Sequence, residues 1–274
     1  MTTGKLIAFT AYISRFWQPI NTIANFYNSV LTAVSYLERI FETIDEPVAV
    51  KDAPDAVQMP QIKGDVAFDH VTFSYEDGIP ILHDVSFKVQ QGETIAIVGP
   101  TGAGKTTMVK LLMRFYDVNK GAIKVDGHDV RNFNRSELHE MFGMVLQDTW
   151  LFSGTIMENI RYGRLDATDE EVIAAAKAAH IHSFIMQQPG GYQMVLDEET
   201  SNISQGQKQL LTIARAILAD NKILILDEAT SSVDTRTEMQ IQKAMDNLMK
   251  GRTSFVIAHR LSTIKDADLI LVMK

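Results

Sequence analysis

Residues 99–107 read Gly99-Pro100-Thr101-Gly102-Ala103-Gly104-Lys105-Thr106-Thr107 and match the pattern G-x-x-x-x-G-K-[ST] without a mismatch. The five residues before them, Thr94 to Val98, form a β-branched apolar run that predicts a buried parallel strand. After them, apolar residues recur at helical spacing from Met108 to Phe115. The pattern predicts a strand, a glycine-rich loop and a helix that begins near Lys105.

Such a loop is suited to binding a polyphosphate. Its glycines let successive backbone N–H groups point inward, and the start of the helix adds partial positive charge at the same point. We expect Lys105 to reach the β- and γ-phosphates, and the Thr106 hydroxyl to occupy one position on an octahedral Mg²⁺. A glycine turn without a ligand is the alternative, and the strand and helix in register on either side make it the weaker one.

The composition restricts the class of protein. The chain has 274 residues, enough for one large or two small domains, and 46% of them are hydrophobic, as in ordinary globular cores. Its net charge is −8, whereas a nucleic-acid partner would require a clustered excess of Lys and Arg, so we expect none. There is no cysteine, which excludes disulfides and thiolate metal sites and fits a reducing, cytosol-facing location.

Residues 5 to 44 carry apolar side chains in steps of three and four, which predicts one long helix. At ~1.5 Å per residue it would extend about 60 Å. From Trp17 to Leu37 it carries no Asp, Glu, Lys or Arg, although a polar, uncharged stripe follows one face: Asn21, Asn25, Asn28, Thr32 and Ser35. We expect Pro19 to kink this helix or to mark a weak point in it.

Two interpretations of this helix stay open. A helix that lines a water-filled cavity between membrane segments can carry Asn, Thr and Ser. A soluble amphipathic or coiled-coil helix is the alternative, because no unbroken apolar run is long enough to span a bilayer. A signal peptide is disfavoured, because Arg15 interrupts the apolar run and no small-residue cleavage site follows it.

A domain boundary is predicted next. Residues 45–60 hold Pro47, Pro54 and Pro60 and indicate a semi-extended linker. Alternating segments then predict a small antiparallel sheet with a turn at 76–78: residues 66–68, 71–75 and 85–89. Further buried strands are predicted at 144–146, 223–226, 254–258 and 269–272.

Three capping boxes predict helix starts. Thr155 with Glu158 opens one helix, and Thr168 with Glu171 opens another that is expected to run to about Met186. The third box, Ser204 with Gln207, opens a helix that is expected to run to about Leu218.

Six segments together, in this order and spacing, resemble the nucleotide-binding domain of ABC transporters: residues 99–107, Gln147 after an apolar strand, Ile203 to Gln207, Ile223 to Glu228, Ser231-Ser232-Val233-Asp234, and His259. The resemblance implies an α/β fold of the P-loop NTPase (ABC ATPase) type. A RecA-like parallel sheet core would be joined by an antiparallel β subdomain and an α-helical subdomain, and a long helix would precede them. Residues 1–44 would be the last transmembrane helix and its cytosolic extension, 45–60 the linker, and 61–274 the nucleotide-binding domain.

The resemblance also implies roles in Mg²⁺-dependent ATP hydrolysis. Asp227 would hold Mg²⁺ through water, and Glu228 would orient and deprotonate the attacking water. Gln147 would bind Mg²⁺ and sense the γ-phosphate. His259 would contact the γ-phosphate and position the water of Glu228. Tyr75 is similar to the aromatic residue that stacks on adenine, although its place in an alternating strand also fits a core residue.

The segment Ile203 to Gln207 implies a second subunit, identical or homologous. In the family, residues at the positions of Ser204, Gln205, Gly206 and Gln207 reach across to a nucleotide held by the partner, and Asp234 is included among the nucleotide-contacting residues. The segment departs from the family pattern at Ile203, where Leu is usual, and at Gln205, which replaces the first Gly as in many exporters. Thr200 stands where exporters commonly place Gly.

The leading hypothesis is the ATPase half of a dimeric membrane exporter, multi-pass in its full length, with the nucleotide-binding domain on the cytoplasmic face. The family continues beyond the position of Lys274 and has five more transmembrane helices in front, so we expect the sequence to be part of a longer protein. The alternatives are a soluble ABC-type ATPase of DNA repair or chromosome organisation, and an ATP-binding switch that does not hydrolyse. The sequence does not identify the transported substrate.

Overall fold

The computed structural model describes residues 2–48, 50–54, 56, 62–76, 78–146, 149–197, 202–227, 234–258 and 261–274, the last range without the side chains of Leu261 and Ser262. The chain divides into two compact units, residues 1–49 and 50–274. Predictions that concern Asp77, Gln147, Thr200, Glu228, residues 231–233 and His259 lie outside the described residues.

The first unit is one α-helix, α1, which covers Thr3–Ile44 and continues through Pro19. The prediction of a single long helix is therefore confirmed. Every residue of α1 is exposed. By hydropathy, none of the described helices combines the length and apolarity needed to cross a membrane.

The second unit alternates strands and helices along the chain. Its strands are β1 (Val66–Phe73), β2 (Leu82–Val89), β3 (Thr94–Val98), β4 (Lys120–Val125), β5 (His128–Asp129), β6 (Phe142–Val145), β7 (Gly154–Thr155), β8 (Val195–Leu196), β9 (Ile223–Asp227), β10 (Thr253–Ile257) and β11 (Leu269–Val272). Its helices are α2 (Lys105–Leu112), α3 (Arg135–Glu140), α4 (Ile156–Arg161), α5 (Asp169–Ala178), α6 (His182–Gln187), α7 (Gln205–Ala219), α8 (Thr235–Met249) and α9 (Leu261–Lys265).

The central sheet has the order β11-β3-β10-β9-β6, and every neighbouring pair in it is parallel. Its strands are apolar on both faces, as expected when both faces are covered. In β9, Ile223 and Ile225 belong to one apolar core, whereas Leu224 and Leu226 belong to another. The parallel sheet thus separates two cores, and its carboxyl edge carries the loops that follow β3, β6, β9 and β10.

A second, antiparallel sheet has the order β2-β1-β4-β5. Side chains of β1, such as Phe68, share a core with Met108, Leu111 and Leu112 of α2 and with Ile95 of β3. Helix α2 is thereby fixed to both sheets. The other core contains the apolar sides of α4, α5, α7 and α8, which form the helical subdomain. The predicted fold class is confirmed in all three parts.

Several predicted boundaries are wrong. The segments predicted at 66–68 and 71–75 form one strand, β1, which ends at Phe73, and the strand predicted at 85–89 begins at Leu82. The helix predicted to run from Thr168 to about Met186 ends at Ala178, where His180 adopts a left-handed conformation (φ +56°), and α6 begins at His182. The N–H groups of His180 and Ile181 donate to Lys177 O and Ala176 O, at 3.0 Å each, and close the helix in a Schellman motif. The strand predicted at 144–146 covers Phe142–Val145 instead, because Phe142 and Gly143 pair with Ile223 and Leu224 of β9.

The start of the second unit is tied to the end of α2 by a buried arginine. The Arg114 side chain is 3% exposed, and its guanidinium donates to Lys51 O and to Phe133 O, at 3.0 Å each. It also lies 3.1 Å from Asp117 Oδ1. Charge-assisted hydrogen bonds in a buried setting are among the stronger ones, so residues 50–52 are fixed against the phosphate-loop helix.

Candidate nucleotide site

The loop between β3 and α2 has the backbone shape that the motif requires. Gly104 is the N-cap of α2 with φ +90°, and a Cβ there would lie 2.9 Å from Ile81 Cγ2. At Gly99 a Cβ would lie 2.5 Å from Met273 O. Side chains at either position would therefore clash, so the glycines let the loop lie close to its neighbours at the start of α2.

Lys105 lies against this loop. Its Nζ donates to Gly99 O at 2.7 Å and to Pro100 O at 2.9 Å, which places the ammonium charge beside the loop carbonyls. The next residue, Thr106, is exposed at the helix start, whereas Thr107 is buried, and the role of Thr106 as a metal ligand stays a prediction.

Parallel register brings other predicted residues to the same edge of the sheet. Asp227 is the last residue of β9 and pairs with Ile257 of β10, which in turn pairs with Ile97 of β3, two residues before the loop. Val145 of β6 pairs with Leu226, one residue before Asp227. The described strands that precede Gln147, Glu228 and His259 in sequence thus all end at the same edge of the sheet as the strand that leads into the phosphate loop.

Tyr75 follows β1 and lies beside α2. Its hydroxyl is 3.2 Å from Thr107 Oγ1, and the residue is 44% exposed. The rings of Phe73 and Tyr116 meet it nearly perpendicularly, both with centroids 5.0 Å away, and Lys110 Nζ lies 6.0 Å from its centroid. The exposure distinguishes Tyr75 from the core residues of β1 and leaves its ring accessible for a base to stack on.

The helix start at Ser204 has the predicted capping box. Gln207 N donates to Ser204 Oγ at 3.3 Å, and Ser204 N donates to Gln207 Oε1 at 2.8 Å. Ser204 and Gln205 are exposed, and Gly206 is buried. The Gln205 side chain donates to Thr149 Oγ1 at 3.2 Å, which links this helix start to the segment after β6.

Asp234 has a local function that the sequence analysis did not assign. It is the N-cap of α8, and its Oδ1 accepts from Thr237 N at 3.0 Å and from Arg236 N at 3.1 Å. The backbone N–H of Thr237 is the main cause of the lowered pKa of this carboxyl. The predicted contact between Asp234 and a nucleotide stays a prediction.

The sequence analysis did not predict a hydrogen-bonded cluster that joins α7 to the segment after β6. Arg215 of α7 donates to Trp150 O at 3.1 Å and to Asn159 O at 2.9 Å, and its guanidinium lies 5.3 Å from the Tyr162 ring centroid. Burial lowers its pKa. Asn159 is fully buried and bonds both the N–H and the C=O of Phe152. An arginine among the mostly apolar residues 210–219 was the available signal, but its partners could not be predicted from the sequence.

Three features together define a P-loop nucleotide-binding domain: the glycine loop, the start of α2 that follows it, and a parallel strand that ends in Asp227. The family model described as "ABC transporter" matches residues 82–231. The chain belongs to the ABC transporter family and contains its ATP-binding domain, the part that binds ATP.

Named relatives share the full length of this chain. A "Fatty acid ABC transporter ATP-binding/permease protein" from Mycobacterium bovis is 51% identical over 275 residues, which cover 100% of this chain and 43% of the relative. The "ATP-binding cassette sub-family B member 6" of Mesocricetus auratus is 44% identical over 274 residues, 100% of this chain and 32% of that protein.

A solved structure, titled "Structure of a bacterial Atm1-family ABC exporter with ATP bound", matches with a TM-score of 0.80 and 41% identity. It covers 100% of this chain, and this chain covers 48% of it. The chain thus spans less than half the length of these relatives. Their names disfavour both alternatives, the soluble DNA-repair ATPase and the ATP switch without hydrolysis.

Proposed function

We propose that this chain is the ATP-hydrolysing part of a dimeric ABC exporter. The observation that carries the proposal is the convergence at one sheet edge of the glycine loop, Lys105 and the Asp227 end of β9. Such an arrangement supplies positioning and charge, which is what phosphoryl transfer requires from a protein. Coupled to a transmembrane domain, hydrolysis would drive export of a substrate that stays unassigned.

Magnesium fits the oxygen donors present. The exposed hydroxyl of Thr106, the carboxylate of Asp227 and the amide oxygen of Gln147 are hard ligands of the kind that Mg²⁺ selects. Bound there, Mg²⁺ would neutralise charge on the β- and γ-phosphates. Lys105 would pair with the same phosphates, Glu228 would take a proton from the attacking water, and His259 would hold the γ-phosphate and the water in place.

The base and the second subunit complete the proposed site. Tyr75 would stack on adenine, while the loop residues Gly99 to Thr107 would surround the phosphates. Ser204, Gln205, Gly206 and Gln207 open α7 at an exposed point, and we assign them to the nucleotide of the partner, an identical or homologous chain. Each site would then need two chains.

We also propose that residues 1–44 are the last helix of the transmembrane domain with its cytosolic extension, and that 45–60 link it to the nucleotide-binding domain 61–274. Support comes from the charge-free stretch between Trp17 and Leu37 and from the relatives named as permeases. The nucleotide-binding domain would lie on the cytoplasmic face of a cell membrane. No nucleic acid is expected as a partner.

The proposal is tested by Lys105→Ala, with Lys110→Ala as the matched control on the same helix. Lys105 is bonded to the loop carbonyls, whereas Lys110 lies over the Tyr75 ring. Loss of a charge-assisted contact to phosphate should weaken Mg-ATP binding about tenfold or more, and Lys110→Ala should weaken it no more than about fivefold. Equal affinities of both variants for Mg-ATP, measured by calorimetry, would contradict the assigned site.

A further inference from the structure

The aromatic residue Tyr116 lies outside every sequence motif described above, and it contacts the proposed base platform. Its ring centroid is 5.0 Å from that of Tyr75, with an interplanar angle of 83°. Perpendicular aromatic pairs at this distance are attractive, because the positive edge of one ring meets the negative face of the other. Tyr116 also contacts Phe73, at 5.8 Å, so the three rings form one cluster.

The position of Tyr116 is fixed by the way α2 ends. Arg114 has a left-handed conformation (φ +54°), and its N–H donates to Leu111 O at 3.0 Å. Phe115 N donates to Lys110 O at 2.9 Å, which completes a Schellman motif. The buried Arg114 side chain is itself held by Phe133 O. The backbone position of Tyr116 is therefore well defined, because it directly follows this hydrogen-bonded end of α2.

The Tyr75 ring has three other described contacts. Its hydroxyl lies 3.2 Å from Thr107 Oγ1 of α2, Phe73 of β1 meets its ring, and Lys110 Nζ lies 6.0 Å from its centroid. The residue is 44% exposed, so removal of Tyr116 would leave its ring with more freedom to turn about the hydroxyl contact. A base that stacks on a mobile ring must first order it, which costs affinity.

We propose that Tyr116 is a positioning residue for nucleotide binding, which holds the Tyr75 ring in the orientation that stacks on the base. The inference rests on the proposed function, in which Tyr75 is the adenine platform. Because Tyr116 follows the phosphate-loop helix, it connects the base platform to the helix that receives the phosphates.

The chain offers matched variants for a test. Tyr116→Leu removes the ring, and Tyr116→Phe keeps it. Phe115→Leu removes an adjacent ring of similar exposure, 45% against 40%, that contacts His139 instead of Tyr75. Because Tyr116 is part-exposed, its truncation leaves no closed cavity, and thermal unfolding of each variant checks that the fold is retained.

Binding of Mg-ATP and of Mg-tripolyphosphate, which lacks a base, is measured by calorimetry on the 274-residue chain. We expect Tyr116→Leu to weaken ATP binding about three- to tenfold, the range that an aromatic pair supplies, and to leave tripolyphosphate binding unchanged. Tyr116→Phe and Phe115→Leu should stay within about twofold of the wild type for both ligands. In the Tyr75→Ala background, Tyr116→Leu should have no further effect.

The proposal is overturned if Tyr116→Leu binds ATP like the wild type, if it weakens both ligands equally, or if its effect adds to that of Tyr75→Ala. Failure of the proposed function gives a different result. If Tyr75→Ala itself leaves ATP affinity unchanged, the base platform is wrongly assigned, and the inference about Tyr116 falls with it.

Discussion

Replacing Ser204 by Ala separates the structural role of this residue from its proposed contact with a partner's nucleotide. Ser204 is the N-cap of α7, and the capping bond from Gln207 N to its Oγ is 3.3 Å long. Loss of an N-cap costs about 1 kcal/mol on average, and a bond of this length favours the lower half of the range, ~0.5–1 kcal/mol. In a chain of this size the melting temperature should fall by about 1–4 °C.

Thr168 provides a control with the same geometry. It caps α5 in a capping box whose two bonds measure 3.3 Å, from Glu171 N to Thr168 Oγ1, and 2.8 Å, from Thr168 N to Glu171 Oε2. The corresponding bonds of Ser204 and Gln207 measure 3.3 and 2.8 Å. Thr168→Ala should therefore lower the melting temperature by about as much as Ser204→Ala.

The two variants should differ in ATP hydrolysis. The cap uses a lone pair of the Ser204 oxygen, so the hydroxyl proton is available to donate to a γ-phosphate. A hydrogen bond to a charged group contributes ~1.5–3 kcal/mol, which corresponds to about a 10- to 150-fold loss of steady-state ATPase activity in Ser204→Ala. Thr168→Ala should keep its activity within about twofold. Equal activities in the two variants would refute the functional assignment of Ser204.

Three further predictions concern Glu228, pH dependence and the loop glycine. Glu228→Gln should bind Mg-ATP like the wild type but lose most hydrolysis, because an amide cannot take a proton; comparable turnover would exclude Glu228 as the base. The hydrogen bond from Arg252 lowers the pKa of Asp220 in the folded protein. The bond therefore stabilises the fold fully above the pKa that Asp220 has in the unfolded chain, and this stabilisation is lost as the pH falls through its pKa in the folded protein. Asp220→Asn should therefore lower the free energy of unfolding by at most about 1 kcal/mol at pH 7 and not at all in strong acid, and a difference that persists there would contradict this cause. Gly104→Ala should lower the free energy of unfolding by more than Gly127→Ala in chemical unfolding. Both glycines have left-handed backbones (φ +90° and +83°), but only Gly104 lacks space for a Cβ. Equal losses of stability would show that the structure relieves the contact between this Cβ and Ile81.

Much of this fold was predictable because the decisive signals are local. The run Thr94 to Val98, the glycine loop and the three capping boxes each specify their structure through neighbours within a few residues, and all are confirmed. The break after Ala178 was not predictable, because it depends on a non-glycine residue, His180, in a left-handed conformation.

The site was predictable only in its motifs. Parallel strands bring their carboxyl ends to one edge, so the pattern correctly placed Asp227 at the end of a buried strand, while its role in the site stays a prediction. The contacts of Tyr116 and Arg215 join segments that are far apart in sequence and carry no motif of their own. The capping of α8 by Asp234 is a local hydrogen bond that the sequence could have predicted, but the sequence analysis assigned Asp234 only to nucleotide contact.

Hydrolysis of ATP at a site that a second chain completes is tested most directly by the dependence of ATPase activity on protein concentration. If Ser204 and Gly206 of one chain complete the phosphate site of another, specific activity should rise with concentration, and the rate below saturation should approach the square of the concentration. An excess of Ser204→Arg chains should suppress the activity of the wild type, because mixed dimers retain at most one complete site. Specific activity that stays constant on dilution, together with no interference from Ser204→Arg chains, would contradict hydrolysis between two copies of this chain.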